Sequence, residues 1–156
     1  MEKEEKYRLL TAQVRSLIEG ETDFVSVMAN VSSVIHETMG FFWTGFYVVS
    51  EGQGKDGTMV KELHVGPFQG SVACMHIAYG KGVCGTAWKA AKTIVVPDVE
   101  AFPGHIACSS LSRSEIVVPV FDREGQVKAV LDIDSRELNT FDEVDQRWLE
   151  EIVKML

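Results

Sequence analysis

The stretch SEIVVPVFDREGQVKAVLDIDS, residues 114–135, decides how this chain folds. Two apolar runs, Ile116 to Phe121 and Val127 to Ile133, have the length and β-branched composition of strands. Between them, Asp122-Arg123-Glu124-Gly125 supplies a tight turn, so the runs read as an antiparallel hairpin. Successive strand side chains point to opposite faces, which puts Asp132 and Asp134 on one face and Ile133 on the other. The start of one hairpin strand lies beside the end of the next, so Glu115 approaches both aspartates. Like charges gathered on one face are costly unless they bind a cation, share a proton or meet solvent. A solvated strand end is the plain reading. The convergence of Glu115 on the pair favours a pocket for an ammonium group.

Working outward, Phe42 to Val49, Met59 to Val65 and Thr93 to Val96 also read as strands, with Glu51 to Gly57 as a flexible connector between the first two. Leu10, Val14, Leu17 and Ile18 form the apolar stripe of a first helix that ends at Gly20. A second helix follows the N-cap Asp23, carries Val25, Met28, Val31, Val34 and Ile35, and stops near Gly40. A short helix covers Gly85 to Ala91. The last helix opens on a capping box of Thr140 and Glu143 and presents Val144, Trp148, Leu149, Ile152, Val153 and Leu156. The order predicts an α+β fold, one antiparallel sheet with helices packed against a face. No internal repeat or domain boundary interrupts it, so residues 1–156 read as a single domain.

Composition narrows the function. Hydrophobic residues make up 46% and charged residues 24%, ordinary values for a globular chain. Fifteen basic against 23 acidic residues leave a net charge of −8, which repels phosphate backbones and anionic lipid surfaces. Neither nucleic acid nor membrane is an expected partner. No apolar run approaches the roughly 20 residues of a membrane span, and the opening MEKEEKYR does not resemble a secretory signal, so a cytoplasmic location is expected. In that compartment Cys74, Cys84 and Cys108 are thiols, and a disulfide among them is catalytic or sensory.

Two motifs carry less than they suggest. Gly80-Lys81-Gly82-Val83-Cys84-Gly85 matches a dinucleotide-binding spacing but lies mid-chain outside any βαβ unit, and it reads as a loop-to-helix turn. Cys74, His76, His105 and Cys108 lack the ligand spacings of a structural zinc site, so no metal is expected there. Cys74 and Cys84 sit among small or apolar neighbours, where free cysteine commonly behaves as a small hydrophobe. Cys108 instead lies between His105 and the serines 109, 110, 112 and 114. On residue type, a thiolate nucleophile and an inert thiol both remain open for it.

Five blocks go further: Phe41-Phe42-Trp43-Thr44-Gly45-Phe46-Tyr47, Gly66-Pro67-Phe68-Gln69-Gly70, Gly82-Val83-Cys84-Gly85-Thr86-Ala87-Trp88, Phe102-Pro103-Gly104-His105-Ile106-Ala107-Cys108, and Val130-Leu131-Asp132-Ile133-Asp134-Ser135. Together they resemble the GAF-domain free methionine-(R)-sulfoxide reductases, from Phe24 to the chain end. The resemblance implies a GAF fold with an antiparallel sheet of about six strands. It further implies a cytosolic, often dimeric enzyme that acts on the free amino acid without a cofactor and is recycled by thioredoxin. By the same resemblance Cys108 is the nucleophile, Cys74 its disulfide partner and Cys84 a third cysteine of less defined role. Trp43, Glu115, Asp132 and Asp134 become pocket residues. The connector after Tyr47 looks longer here than in many such proteins.

The implied chemistry suits these side chains. A thiolate attacks the electrophilic sulfur of a sulfoxide, and clustered carboxyls hold a proton for the departing oxygen. The resulting sulfenic acid condenses with a neighbouring thiol. Acidic pocket residues favour the free amino acid through its ammonium, Trp43 offers an apolar ring to the S-methyl group, and backbone N–H groups of the serine-rich loop are expected to meet the carboxylate. The alternative is a GAF module that binds a small ligand and signals. No output domain accompanies it in this sequence, and three cysteines at these positions would then lack a purpose.

Overall fold

In a computed structural model that describes residues 1–53 and 56–156, the chain runs α1 (Lys3–Ile18), α2 (Phe24–Met39), β1 (Trp43–Gln53), β2 (Met59–Gln69), β3 (His76–Ala78), α3 (Gly82–Ala90), β4 (Ile94–Val96), a 3₁₀ turn (Val99–Ala101), β5 (Ser114–Phe121), β6 (Val127–Ser135) and α4 (Glu143–Val153). The six strands form one antiparallel sheet in the order β3-β2-β1-β6-β5-β4. The 114–135 hairpin therefore sits inside the sheet, with β1 on one side and β4 on the other.

Both faces of that hairpin are covered. Ile116, Val118, Val120, Ala129, Leu131 and Ile133 pack with Phe46 beneath Tyr7, Leu10 and Val14 of α1, Met28, Val31 and Ile35 of α2, and Leu149 and Ile152 of α4. On the reverse, Val117 and Val130 pack with Trp43, Tyr47, Leu63, Ile77, Val83, Cys84 and Val99. The expectation of helices on one face is thus corrected: α3 covers the second face. Coverage on both sides explains why β5 and β6 read as continuous apolar runs rather than as alternating ones.

Several local expectations shift in the same physical sense. The α1 stripe is Tyr7, Leu10 and Val14, continued by the partly buried Ile18, while Leu17 beside it is exposed. Val25 is likewise exposed, and α2 buries Val27, Met28, Val31 and Ile35. Asp23 caps α2 as read, its carboxylate accepting the Ser26 N–H, and Gly40 ends it in the left-handed conformation at φ 72°. The capping box of α4 belongs to Asp142 and Asp145, not Thr140 and Glu143: Asp142 accepts the Asp145 N–H and Asp145 accepts the Asp142 N–H at 2.9 Å. Asp145 is fully buried because it also accepts from Tyr7 Oη at 2.6 Å and Lys3 Nζ at 2.7 Å, which ties α1 to α4. Thr140 instead bonds Ser135 through its hydroxyl.

The expected connector is shorter than read. Glu51, Gly52 and Gln53 continue β1 and pair with Lys61, Val60 and Met59, and part of that connector, Gly54 and Lys55, lies outside the described residues. β3 and its three residues had no periodic signal. The short helix begins at Gly82, three residues ahead of the expected Gly85. Gly80 and Gly82 lie at φ 75° and 61°, so the glycine motif is the loop-to-helix turn it was read to be. Among the described residues no helix is long and apolar enough to cross a membrane.

Candidate functional site

Strand register builds the site. Across the sheet, Val96 of β4, Glu115 of β5, Asp134 of β6 and Trp43 of β1 lie in one row. The next row holds Val117, Asp132 and Gly45. Glu115 and Asp132 are buried at 6% and 5% exposure, whereas Asp134 is half-buried. The convergence expected from the hairpin is therefore present, and it lies under protein rather than at a solvated strand end.

Trp43 forms one wall. Its Nε1 donates to the Ser71 carbonyl at 2.9 Å, and its ring stacks between Phe68 and Tyr47 at centroid distances of 5.1 and 6.0 Å. Gly45 makes room for this stack, since a Cβ there would lie 2.3 Å from Phe68 Cβ and 2.7 Å from the Trp43 ring. Tyr47 Oη donates to the Cys74 carbonyl at 3.2 Å and so ties the strand floor to the cysteine segment. Val83 and Cys84 of α3 and the loop from His105 to Ser112 complete the lining.

At the rim, Cys74 and Cys108 form a disulfide with their Cα atoms 5.3 Å apart across 34 residues of sequence. The fold thus closes the pairing that the family resemblance implied. Cys84 is a free, buried thiol. The rejected zinc quartet is not assembled: two members are joined as the disulfide, and His76 bonds Glu62 instead. His105 lies with Nε2 4.0 Å from Glu115 Oε1, and burial holds its imidazole below the ordinary value, neutral at pH 7.

Electrostatics in the pocket follow from burial and crowding. Burial, then the Asp132 charge, pushes the Glu115 carboxyl well above its usual range, and the same two causes raise Asp134. Asp132 is raised by burial, while the neighbouring Glu115, Asp134 and Cys84 side chains act the other way and favour its charged form. The consistent arrangement is one carboxylate, Asp132, held by two neutral acids and a protonated thiol. Burial above all keeps the Cys84 thiol protonated, with the three neighbouring acids adding to the effect. Asp132 Oδ1 is buried without a hydrogen-bond partner. An anionic oxygen of that kind suits a cationic donor.

All seven residues singled out in the sequence, Cys74, Cys84, Cys108, Trp43, Glu115, Asp132 and Asp134, line or adjoin this pocket. Sequence reading gave Tyr47 no role of its own, and it named Ser112 and His105 only as neighbours of Cys108 in its loop; the structure places all three in the pocket lining, with Ser112 favouring the charged form of Asp134 against the effect of burial. Tyr47 had a signal in its strand spacing from Trp43 and Gly45, whereas nothing in the sequence connected Ser112 with Asp134. Ser114, read as part of the polar loop, is buried and donates to the Glu137 carbonyl instead. Chemically, the arrangement joins a two-electron thiol–disulfide couple to a store of protons and an anion in one pocket.

Comparison with known proteins agrees with this arrangement. A GAF domain model matches residues 21–154. GAF domain-containing protein A of Dictyostelium discoideum is 49% identical, covering 99% of this chain and 92% of its own. The free methionine-R-sulfoxide reductase of Saccharomyces cerevisiae is 39% identical, covering 100% of this chain and 86% of its own. Among solved structures, the free methionine-R-sulfoxide reductase of Neisseria meningitidis in complex with its substrate superposes with a TM-score of 0.90 at 47% identity, covering 99% of this chain and 88% of that one. On fold, sequence blocks and full-length similarity alike, the chain belongs to the GAF-domain family of free methionine-R-sulfoxide reductases.

Proposed function

We propose that this chain reduces free methionine-R-sulfoxide to methionine, with Cys108 as nucleophile and Cys74 as resolving thiol. One observation carries the reading: the Cys74–Cys108 disulfide lies at the rim of a pocket whose floor holds Asp132 with an unpartnered oxygen. The described disulfide is then the end point of one turnover.

In the reduced protein the Cys108 thiolate attacks the sulfoxide sulfur. The S–S bond so formed then breaks together with the S–O bond as the oxygen, carrying one added proton, passes to Cys108; this leaves Cys108 as a sulfenic acid and releases methionine with its sulfur reduced by two electrons. Glu115 and Asp134, held neutral by Asp132 and by burial, supply protons to the oxygen as negative charge develops on it. The Cys74 thiol then displaces water from the sulfenic acid and closes the disulfide. Thioredoxin returns two electrons and two protons by thiol–disulfide exchange. Asp132 receives the substrate ammonium, Trp43 supports the S-methyl group, and the Ser109 and Ser110 amides meet the carboxylate. Cys84 acts as a protonated donor to Asp132 rather than as an attacking thiolate.

The same reading takes residues 1–156 as a single cytoplasmic GAF domain that works as a homodimer and needs no cofactor. The test is NADPH oxidation coupled through thioredoxin and thioredoxin reductase, with each sulfoxide epimer of the free amino acid. Turnover of the R epimer with little of the S epimer is expected. Absence of turnover with both would leave a ligand-binding sensor as the better account.

A further inference from the structure

On the far side of the β2–β3 ribbon from the pocket, the proposed reaction leaves three metal-ligating side chains unused. Leu63 and Ile77 face the pocket cluster, so their strand neighbours Glu62, His64 and His76 project to the opposite face. His64 and His76 are direct register partners on β2 and β3, and Glu62 lies two residues from His64 on the same face. Glu62 Oε1 is 3.0 Å from His64 Nε2 and 2.8 Å from His76 Nδ1, and the two imidazoles meet edge to face at 4.7 Å between centroids.

We propose that Glu62, His64 and His76 form a binding site for a divalent transition-metal ion of the zinc class. Geometry and donor chemistry agree. Ligands about 2.0–2.1 Å from a zinc ion are separated from one another by roughly 2.9–3.4 Å. One donor atom from each side chain lies within 4.8 Å of the other two, and both contacts through the Glu62 oxygen are already near that spacing. Two imidazoles and one carboxylate select zinc, nickel, cobalt or copper over magnesium and calcium, which prefer oxygen donors. Three protein ligands leave a fourth position for water.

The space beside the donors is also preserved by sequence. Gly52 on β1 faces them, and a Cβ there would stand 3.3 Å from Glu62 Oε1 and 3.5 Å from His64 Nε2. His76 lies two positions after Cys74, so an ion here pins β3, beside the resolving cysteine, to β2.

The test uses tag-free, fully oxidised protein, in which Cys74 and Cys108 are unavailable as ligands, and equilibrium dialysis against Zn²⁺. One ion per chain is expected in the wild type. His76→Ala, at an exposed position, and Glu62→Gln should each weaken binding by about tenfold or more. Asp132→Asn should leave it unchanged. Co²⁺ should give a visible ligand-field band in the wild type that disappears in His64→Ala. Absence of saturable binding at millimolar Zn²⁺ would overturn the proposal. So would binding insensitive to His76→Ala and Glu62→Gln, or binding lost in Asp132→Asn and kept in His76→Ala.

Discussion

The two faces of the β5–β6 hairpin differ although one chain segment makes both. Toward α1, α2 and α4 it presents Ile116, Val118, Val120, Leu131 and Ile133, each at most 1% exposed. Toward the pocket the alternate positions are Glu115, Val117, Asp132 and Asp134. Complete burial of each large aliphatic side chain on the first face contributes about 1.5–3 kcal/mol. The second face gathers acids in a dry setting, where their charged forms are disfavoured. Stability and chemistry are thus interleaved at single-residue spacing, and each should respond to its own substitutions.

The largest expected effect lies at the rim. Cys108→Ser should lower turnover by at least about a thousandfold, because a hydroxyl is a far weaker nucleophile than a thiolate. Circular dichroism should show the fold intact, and more than a few per cent residual activity would remove Cys108 from its role. Cys74→Ser should reduce about one equivalent of sulfoxide and then stall with thioredoxin, the sulfenic acid lacking its partner. Stoichiometry in rapid quench reads this directly, and sustained turnover would assign the resolving step to another thiol.

On the helix-covered face, Leu131→Ala should cost about 2–5 kcal/mol in urea denaturation. Specific activity per folded molecule should be unchanged. On the pocket face, Asp134→Asn should do the reverse. Asparagine resembles the neutral acid already present but takes up no proton on folding, so stability at pH 7 should be unchanged or higher, while kcat should fall by about 100-fold through loss of a proton donor. If both substitutions lower stability and activity together, the division between faces does not hold.

The smallest effect is a difference in pH dependence. Burial raises the folded-state pKa of Glu115 and Asp134 above their ordinary values of 4.5 and 3.8. The folded protein then binds more protons than the unfolded chain in the interval between. Their contribution is most favourable below the ordinary values and is lost as pH climbs through the raised ones. Subtracting the Asp134→Asn stability curve from the wild-type curve should give a difference that declines with rising pH. A flat difference would mean that Asp134 ionises freely in the fold.

Much of this was legible in the chain. Hairpin 114–135 has strand composition, a turn signal and alternating acids, all local, so β5, β6 and the meeting of Glu115 with Asp132 and Asp134 could be read directly. The helices were legible as stripes, but Leu17 and Val25 fit the helical spacing and still lie outside the core while the adjacent Ile18 and Phe24 pack against it, because periodicity does not report how wide a strip of the helix its neighbours cover. The cap of α4 went to Asp142 because Asp145 closes back on it while also meeting Tyr7 and Lys3. Those partners are far away in sequence. β3 has three residues and exists only because β2 offers an edge to pair with. The Cys74–Cys108 pairing depends on a loop docking over the sheet, and no spacing in the sequence announces it.

The central claim is that the buried acids read the amine of a free amino acid. Specificity constants for free and N-acetylated methionine-R-sulfoxide, measured in the same thioredoxin-coupled assay, test it most directly. Acetylation removes the cation that Asp132 would meet and leaves a buried carboxylate unpaired, a loss of about 3–5 kcal/mol in a dry site and less where water enters. The account predicts that the N-acetylated substrate is slower by about 100-fold. Equal constants for the two substrates would contradict it.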